Sequence, residues 1–291
     1  MEKRVVITGA GVVHALGNEL DEFWGNIVSG KSGISKIEGF DVEEFPSQIA
    51  AEIKDFDPGD YIDRKEAKRM AFYTQYAIVS SLKALENAGL ELTDETADRA
   101  GVIVGSGIGG IEVFEEQVEK LHKRGPRRIS PFFIPMMISN MAAGNVAIYA
   151  NAKGPNLNTV TACASGTTAI GEAFETIKRG AADIMIAGGT EAAITPSALA
   201  GFGNMKALST RNDDPQAASR PFDKDRDGFI MGEGAGVIIL EELETAKARG
   251  ANIIAEIVGY GASGDAYHIT SPAPEGEGAS RAMQAAIDRA G

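Results

Sequence analysis

Short apolar, β-branched runs alternate along the chain with segments in which apolar residues recur every three or four positions. The runs predict strands over residues 5–8, 101–105, 157–162, 183–187, 237–241 and 253–260. Helices are predicted where apolar residues recur between Phe72 and Leu85, and again between Ile170 and Ile177. Gly89 and Gly180 follow these two segments and favour left-handed caps that end the helices.

This alternation indicates an α/β fold with a sheet buried on both faces. Residues 31–62 and 203–229 are rich in Gly, Pro, Asn and Asp and are predicted as irregular excursions from the sheet. The chain closes with the predicted strand at 253–260 and a helix over 280–290. A single strand–helix unit cannot bury both faces of a new sheet. It therefore either packs on the preceding domain or opens a second domain whose remainder is missing.

Charge and composition narrow the functional class. The chain of 291 residues has 28 Lys plus Arg against 41 Asp plus Glu, a net charge of −13, so free nucleic acid is a poor partner. No segment approaches the ~20 apolar residues of a membrane span. The apolar run near Met1 is too short for a signal peptide. The single cysteine excludes an intrachain disulfide, and a cytoplasmic location is expected.

Three motifs resemble binding loops, but each lacks a decisive residue. Residues 105–110 satisfy G-x-G-x-x-G, yet a basic segment replaces the acidic residue expected about 20 positions later, which favours a glycine turn beside a pocket. The segment that begins at Gly9 has His14 in place of the third glycine and is interpreted as a tight turn. Residues 223–228 match half of a calcium loop, but Gly234 replaces the bidentate glutamate, which favours a turn held by Asp–Arg contacts. No metal and no cofactor are expected.

Cys163 stands at the junction between the predicted strand 157–162 and the following amphipathic helix. The thiolate is the reactive form of cysteine, and a helix N-terminus stabilises negative charge. The small neighbours Ala162, Ala164, Ser165 and Gly166 permit the sharp strand-to-helix turn on which hydrolases present a serine nucleophile. A lone cysteine is by itself more often a small buried side chain. The flanking pattern and the other motifs together favour a nucleophile.

The segment Val160-Thr-Ala-Cys-Ala-Ser-Gly166 is one of several blocks that point to a single family. Further blocks lie at residues 4–13, 188–191, 220–234 and 265–272, in that order. Together they resemble the β-ketoacyl-acyl-carrier-protein synthases, most closely the elongating type II form. The resemblance implies a thiolase-like α/β fold, layered α/β/α/β/α in the intact family. Residues 1–251 would form the N-terminal half with cap insertions, and residues 252–291 would start the C-terminal half.

The resemblance implies an acyltransferase of fatty-acid biosynthesis that uses no cofactor. Cys163 would accept an acyl chain from the phosphopantetheine thiol of acyl carrier protein, and decarboxylated malonyl-carrier protein would then attack the thioester. By position, Ile108 resembles the gate to the acyl pocket, with Phe202 beside it. Phe133 resembles a residue that reaches the partner's pocket in the family's homodimer. Thr270 resembles a contact to pantetheine.

Basic residues that resemble the family's docking surface for acidic carrier protein are Lys65, Lys68, Arg69, Arg127, Arg128 and Lys206. A local patch is enough to steer a partner, even on a chain with a net charge of −13. Two alternatives remain open: a coenzyme A-dependent enzyme of the thiolase type, and a non-catalytic subunit that binds carrier protein or determines chain length. The nucleophile and the basic residues favour the synthase.

In one respect the chain departs from the family. The family's two further catalytic histidines, a supporting lysine and a backbone oxyanion donor correspond to positions beyond residue 291. The chain's own histidines, His14, His122 and His268, match no catalytic position. The sequence therefore predicts a C-terminal truncation that leaves acylation of Cys163 but prevents condensation by these residues alone. Residues 253–260 are expected to form the central strand of the second half, with both edges exposed.

Overall fold

A six-stranded mixed sheet lies at the centre of the protein, whose computed structural model describes residues 3–291. The strands in this range are β1 (Val5–His14), β2 (Ser35–Lys36), β3 (Ile49–Ala51), β4 (Ala100–Gly105), β5 (Asn156–Leu157), β6 (Ile184–Glu191), β7 (Met231–Gly232), β8 (Gly234–Glu242) and β9 (Ala255–Ile257). The main sheet has the order β5-β4-β6-β8-β1-β9. β4 runs parallel to β5 and β6, whereas β8 is antiparallel to β6 and β1.

Helices cover both faces of this sheet. They are α1 (Leu20–Val28), α2 (Arg64–Ala67), α3 (Phe72–Asn87), α4 (Ile111–Arg124), α5 (Phe133–Met137), α6 (Met141–Ala150), α7 (Ser165–Lys178), α8 (Pro196–Asn204), α9 (Leu243–Ala248) and α10 (Glu277–Ala290). On one face α3 and α6 pack against Val102 and Val104 of β4, and on the other α7 packs against Ile103. The alternation of these three residues confirms a sheet that is buried on both sides.

Two glycines of β1 allow α3 to approach the sheet closely. A Cβ atom at Gly9 would lie 2.5 Å from the Ala84 carbonyl oxygen, and one at Gly11 would overlap the Ser80 carbonyl oxygen. The prediction of a tight turn at Gly9 is therefore wrong, because the chain continues as a strand through His14. A register shift between Ile7 and Gly9 is the only irregularity in the pairing of β1 with β8. The glycines serve helix–strand packing and not chain reversal.

The two predicted helices are confirmed, and each ends before its predicted glycine. Gly89 and Gly180 have φ angles of +56° and +79°, in the left-handed region that glycine adopts without steric cost. The predicted strand 157–162 is wrong, because β5 ends at Leu157. β5 is the outermost strand with one neighbour, and the chain beyond it forms a 3₁₀ turn at Ala162–Ala164 before α7.

The two stretches predicted as excursions from the main sheet are confirmed as such. The first stretch contributes β2 and β3 to the small sheet β2-β3-β7, and β7 follows directly after the second stretch. In this sheet β3 pairs with β2 in antiparallel and with β7 in parallel register. The excursions share a separate apolar cluster that includes Ile37, Val42 and Leu208. In residues 3–291, no helix is long and apolar enough to cross a membrane.

The last forty residues pack on the rest of the chain. β9 pairs with β1 in antiparallel register and lies at the edge of the main sheet, so the prediction of a central strand with two exposed edges is wrong. The Tyr260 ring lies on Gly171 of α7, where a Cβ atom would overlap it. Arg289 of α10 donates to Glu175 of α7 at 3.2 Å. The C-terminal helix predicted from residue 280 begins three residues earlier, at Glu277.

Candidate active site

Cys163 lies in the 3₁₀ turn Ala162–Ala164 and is exposed. Ala162 has a φ angle of +50°, which is strained for a residue with a Cβ atom. The Ser165 hydroxyl fixes this conformation, since it donates to the Ala162 carbonyl at 2.7 Å and accepts from the Thr161 N–H at 2.9 Å. A backbone held in this way presents the Cys163 side chain outward at the start of α7.

The N-terminus of α7 begins two residues after Cys163. The first N–H groups of a helix lack partners within it and carry partial positive charge. The first turn of α7 contains no acidic residue that would cancel this charge. Glycines at the ends of β4 and β6 make room for it: a Cβ atom at Gly105 would overlap the Ser165 carbonyl, and one at Gly189 would lie 2.9 Å from the Cα of Gly166. The predicted sharp turn into the helix at Cys163 is confirmed.

A hollow of about 440 Å³ opens in front of this turn. Its lining joins residues from distant parts of the chain, among them His14, Ser106, Cys163, Glu191 and Glu233. Of the histidines in residues 3–291, only His14 lines it. Burial lowers the pKa of the His14 imidazole, and its Nδ1 accepts from the Leu16 N–H at 3.1 Å.

Glu191, at the end of β6, binds the glycine turn that follows β4. Its Oε2 accepts from the N–H groups of Gly107 at 2.7 Å and Ile108 at 3.1 Å. Its Oε1 accepts from the Ser106 hydroxyl at 2.9 Å and from the Gly109 N–H at 3.3 Å. Burial raises the pKa of the Glu191 carboxyl, and these hydrogen bonds oppose the rise.

This arrangement confirms the prediction that residues 105–110 form a glycine turn beside a pocket. Gly109 has a φ angle of +76°, as the turn requires. The amide groups that would bind phosphate in a dinucleotide site are instead bonded to the protein's own carboxylate. The turn thus belongs to the hollow around Cys163.

Glu233 is a second half-buried carboxylate of the hollow. Burial raises the pKa of Glu233 to about 7, and the nearby carboxylates of Glu52 and Glu112 add to the rise. The Ile53 N–H donates to its Oε1 at 2.8 Å and opposes the rise. His14, Glu191 and Glu233 were not predicted as site residues from the sequence. Glu191 and Glu233 do lie in two of the blocks that carry the family resemblance, residues 188–191 and 220–234, and this was the available indication.

The three predicted acyl-pocket residues lie on separate elements, and none of them lines the hollow. Ile108, in the turn, is 40% exposed. Phe133 begins α5, which meets the turn where the Gly110 N–H donates to the Met137 carbonyl at 3.0 Å. Phe202 of α8 packs edge-on against Phe229, with 5.3 Å between ring centroids.

Thr270 lies in an exposed loop away from the hollow. Its N–H donates to Nδ1 of His268 at 3.2 Å, as does the Ser271 N–H at 3.1 Å. The Asp265 carboxylate accepts from the Ala273 N–H at 2.8 Å and closes the loop. His268 thus acts as an acceptor that shapes the loop.

The predicted docking residues are all exposed and lie on three different segments. Lys65, Lys68 and Arg69 lie on and just after α2, and the Arg69 guanidinium stands over the Phe132 ring at 4.9 Å. Arg127 and Arg128 form the 3₁₀ turn that follows α4. Lys206 lines a separate hollow with Pro46 and Thr210.

The segment 223–228 is a turn, as predicted. Arg220 donates to the Asp227 carboxylate at 3.1 Å, and Arg226 donates to the Asp223 carbonyl at 2.8 Å. Within residues 3–291, no three His, Cys, Asp or Glu side chains are grouped so that they could hold a metal ion.

Comparisons with known proteins agree on one family. Residues 2–246 match the family model "Beta-ketoacyl synthase, N-terminal domain", and residues 254–291 match "Beta-ketoacyl synthase, C-terminal domain". The chain is 59% identical to "3-oxoacyl-[acyl-carrier-protein] synthase 2" of Staphylococcus aureus (strain N315), over 99% of this chain and 70% of that protein.

Solved structures show the same fold. A β-ketoacyl synthase from Burkholderia phymatum STM815 superposes with a TM-score of 0.90 at 39% identity, over 99% of this chain and 70% of that one. A type II polyketide ketosynthase in complex with its acyl-carrier protein superposes with a TM-score of 0.89 at 35% identity, over 100% of this chain and 70% of that one. The thiolase-like fold predicted from the sequence is confirmed.

Proposed function

The chain belongs to the β-ketoacyl synthase family, and we propose that it is an acyltransferase of fatty-acid biosynthesis that takes an acyl chain from acyl carrier protein onto Cys163. The observation that carries this proposal is the position of Cys163. Its thiol is exposed in a hollow, on a strained turn directly before the N-terminus of α7. The same fold in a ketosynthase bound to its carrier protein supports the donor.

The transfer exchanges one thioester for another. The Cys163 sulfur attacks the carbonyl carbon of the acyl-phosphopantetheine thioester and forms a new carbon–sulfur bond. The bond to the pantetheine sulfur breaks, and that sulfur leaves as a thiolate that takes up the proton released by Cys163. The partial positive charge at the N-terminus of α7 favours the attacking thiolate. In the condensation, malonyl-carrier protein loses carbon dioxide, and the resulting carbanion attacks the acyl carbon and expels Cys163.

We assign the acyl pocket to the surroundings of the glycine turn. Ile108 would gate it, Phe202 would line the route beside it, and Phe133 would extend it toward a second subunit. The contact of α5 with the turn supports this assignment, since it places Phe133 on an element that touches the segment of Ile108. Thr270, on its exposed loop, would contact the pantetheine arm.

Carrier protein would dock on the exposed basic residues. The group on α2 supports this most directly, because Lys68 lines an apolar hollow of about 470 Å³ and Arg69 lies against Phe132. Cations beside apolar surface suit an acidic partner that also presents apolar side chains. Arg127, Arg128 and Lys206 would extend the contact.

A homodimer would complete the site. β5 has a neighbour on one side only, and the apolar residues near its free edge are exposed: Leu157 by 50%, Val160 by 58% and Ile148 by 74%. The Oδ1 atom of Asn158 is buried without a partner. An unpaired edge with apolar neighbours suits pairing with a second copy.

We also propose a cytoplasmic location and a division of the chain into two halves. A nucleophile that is an exposed free thiol suits a reducing, cytoplasmic compartment. The net charge of −13 disfavours binding to nucleic acid and to anionic membrane surfaces.

The two family models meet between residues 246 and 254, which supports a first half of 1–251 followed by a second that begins at 252.

A comparison of acylation rates distinguishes acyl carrier protein from the alternative donor, coenzyme A. Butyryl-carrier protein and butyryl-coenzyme A at equal concentration present the same thioester, so only recognition of the carrier differs. We expect acylation from the carrier protein to be faster by roughly tenfold or more at low salt, with the advantage shrinking as salt screens the basic residues. Intact-mass measurements over time give both rates. Equal rates, or faster transfer from coenzyme A, would assign the chain to the thiolase type.

A further inference from the structure

The glycine turn that carries Ile108 is anchored chiefly by the carboxylate of Glu191. That carboxylate accepts from three successive amides, those of Gly107, Ile108 and Gly109, and from the Ser106 hydroxyl. The Ser106 oxygen in turn accepts from the Gly109 N–H at 3.1 Å. Both oxygens of the carboxylate are engaged, each with two donors.

The anchored turn also borders the nucleophile. A Cβ atom at Gly107 would lie 3.1 Å from Glu191 Oε2 and 3.4 Å from the carbonyl oxygen of Ala162, the strained residue before Cys163. On its other side, the turn touches α5, where a Cβ atom at Gly109 would lie 2.7 Å from the Met137 carbonyl oxygen. The turn therefore fills the space between the nucleophile's backbone and α5, and Glu191 holds it there.

We propose that Glu191 is a positioning residue that fixes Ile108 and thereby sets which acyl chains reach Cys163. This inference rests on the proposed function, because it requires Ile108 to gate an acyl pocket. Glu191 forms no bond in the reaction. While the turn is fixed, the Ile108 side chain stays in position and hinders the entry of long acyl chains. A loosened turn lets it move aside.

Glu191→Gln is the most direct change, because it keeps the size of the side chain. A carboxylate accepts hydrogen bonds at both oxygens, whereas an amide accepts at one and donates at the other. In the variant an NH2 group replaces one of the two carboxylate oxygens. Two of the four donors therefore lose their acceptor and face another donor instead. The turn should loosen while the Cys163 turn, held by Ser165, persists.

The test compares acylation of Cys163 by lauroyl- and butyryl-carrier protein, measured by intact mass in single turnover. In Glu191→Gln the ratio of the lauroyl to the butyryl rate should rise roughly tenfold. Alkylation of Cys163 by iodoacetamide should stay near the rate of the unmodified protein. A role in general folding would instead lower both acylation rates together. Glu52→Gln is the matched control, since Glu52 is also half-buried and accepts from the backbone N–H groups of Glu38 and Gly39 and not from the turn.

The Ile108→Ala variant tests the gate itself, so that failure of the Glu191 proposal can be distinguished from failure of the proposed function. If Ile108→Ala raises the ratio and Glu191→Gln leaves it unchanged, Glu191 does not position the gate. If Ile108→Ala also leaves it unchanged, the gate itself is wrong and the inference falls with it. If neither donor acylates the unmodified protein, the proposed function fails first. Should Glu191→Gln not fold, Ser106→Ala removes one of the same bonds and should raise the ratio by a smaller factor.

Discussion

The two half-buried carboxylates that line the hollow of Cys163, Glu191 and Glu233, differ in the number of hydrogen-bond donors that stabilise their charge. Glu191 has four donors. Glu233 has a hydrogen bond from the Ile53 N–H and lies near the carboxylates of Glu52 and Glu112. Burial with few donors favours the neutral acid, which is why the pKa of Glu233 is raised to about 7. Glu233 thus keeps its proton to a higher pH than an ordinary carboxyl group, in the hollow that Cys163 also lines.

Glu233 should make the protein less stable as pH rises. Its pKa is about 7 in the folded state against an ordinary 4.5, so between these values the folded state holds a proton that the unfolded state releases. The free energy of unfolding then falls with rising pH across this window, by about 2–3 kcal/mol in all, and levels off above it. Glu233→Gln keeps the acceptor for the Ile53 N–H and should lack this decline. Urea denaturation at about pH 5 and about pH 8 measures the difference.

The exposed carboxylate variant Glu44→Gln is the control for this measurement and should follow the unmodified protein at both values. A decline of equal size in Glu233→Gln and in the unmodified protein would show that Glu233 does not hold the proton. Other titrating groups cancel in this comparison, because each variant changes a single carboxyl.

Some residues of the candidate site could be predicted from the sequence, and others could not, for a physical reason. Cys163 was found because its evidence is local, in the small residues that surround it. Glu191 and Glu233 act through partners far along the chain: Glu191 bonds Gly107, and Glu233 bonds Ile53. Only the pairing of β6 with β4, and of β7 with β3, brings these pairs together.

At the scale of elements, the contact of α3 with β1 depends on two positions without side chains. Gly9 and Gly11 face the backbone of α3 at Ala84 and Ser80. The helix is largely buried, with Tyr73, Ala77 and Ile78 among its interior residues. Because α3 has no room to move outward, the glycines fix the distance between helix and sheet.

Gly11→Ala should destabilise the protein by about 1–3 kcal/mol, because its Cβ atom would overlap the Ser80 carbonyl oxygen. Thermal or urea unfolding measures the loss. Gly236→Ala on β8 is the control: no atom lies within 4 Å of its Cβ position, and the change should stay within about 0.5 kcal/mol. Equal stability of the two variants would mean that α3 can shift away from the sheet.

Strands and helices could be predicted from the sequence where burial imposes a regular pattern of apolar residues. The apolar runs of β4, β6 and β8 are buried on both faces, and the period of α3 and α7 matches their packing. The failures lie where tertiary contacts override local preference. Residues 159–161 carry β-branched side chains but leave the edge of the sheet to form the Cys163 turn, and Gly9 and Gly11 suggested a turn although they serve packing.

At the scale of the whole molecule, the free edge of β5 predicts self-association. Leu157→Lys would place a charge among the exposed apolar residues of that edge and should weaken the dimer by roughly tenfold or more. Sedimentation velocity over a concentration series measures the shift toward monomer. Val28→Lys, on α1 and 69% exposed, is the control and should leave the dimer intact. A monomeric unmodified protein, or a dimer that Leu157→Lys does not weaken, would contradict the assignment.

Charge acts at the same scale. A net charge of −13 repels an acidic carrier protein at long range, and the exposed basic residues on α2 and after α4 reverse that locally. If the proposed docking surface is right, this contrast sets the direction from which carrier protein approaches, and the acyl chain would then enter the hollow of Cys163 beside the glycine turn.

The central claim, that Cys163 accepts the acyl chain, is tested by intact mass after incubation with acyl-carrier protein. The protein should gain the mass of one acyl group, and Cys163→Ala, checked by thermal unfolding to be folded, should gain none. Digestion of the acylated protein should place the added mass on the peptide that contains Cys163. An adduct that persists in Cys163→Ala, or an unmodified protein that gains no acyl group, would contradict the account.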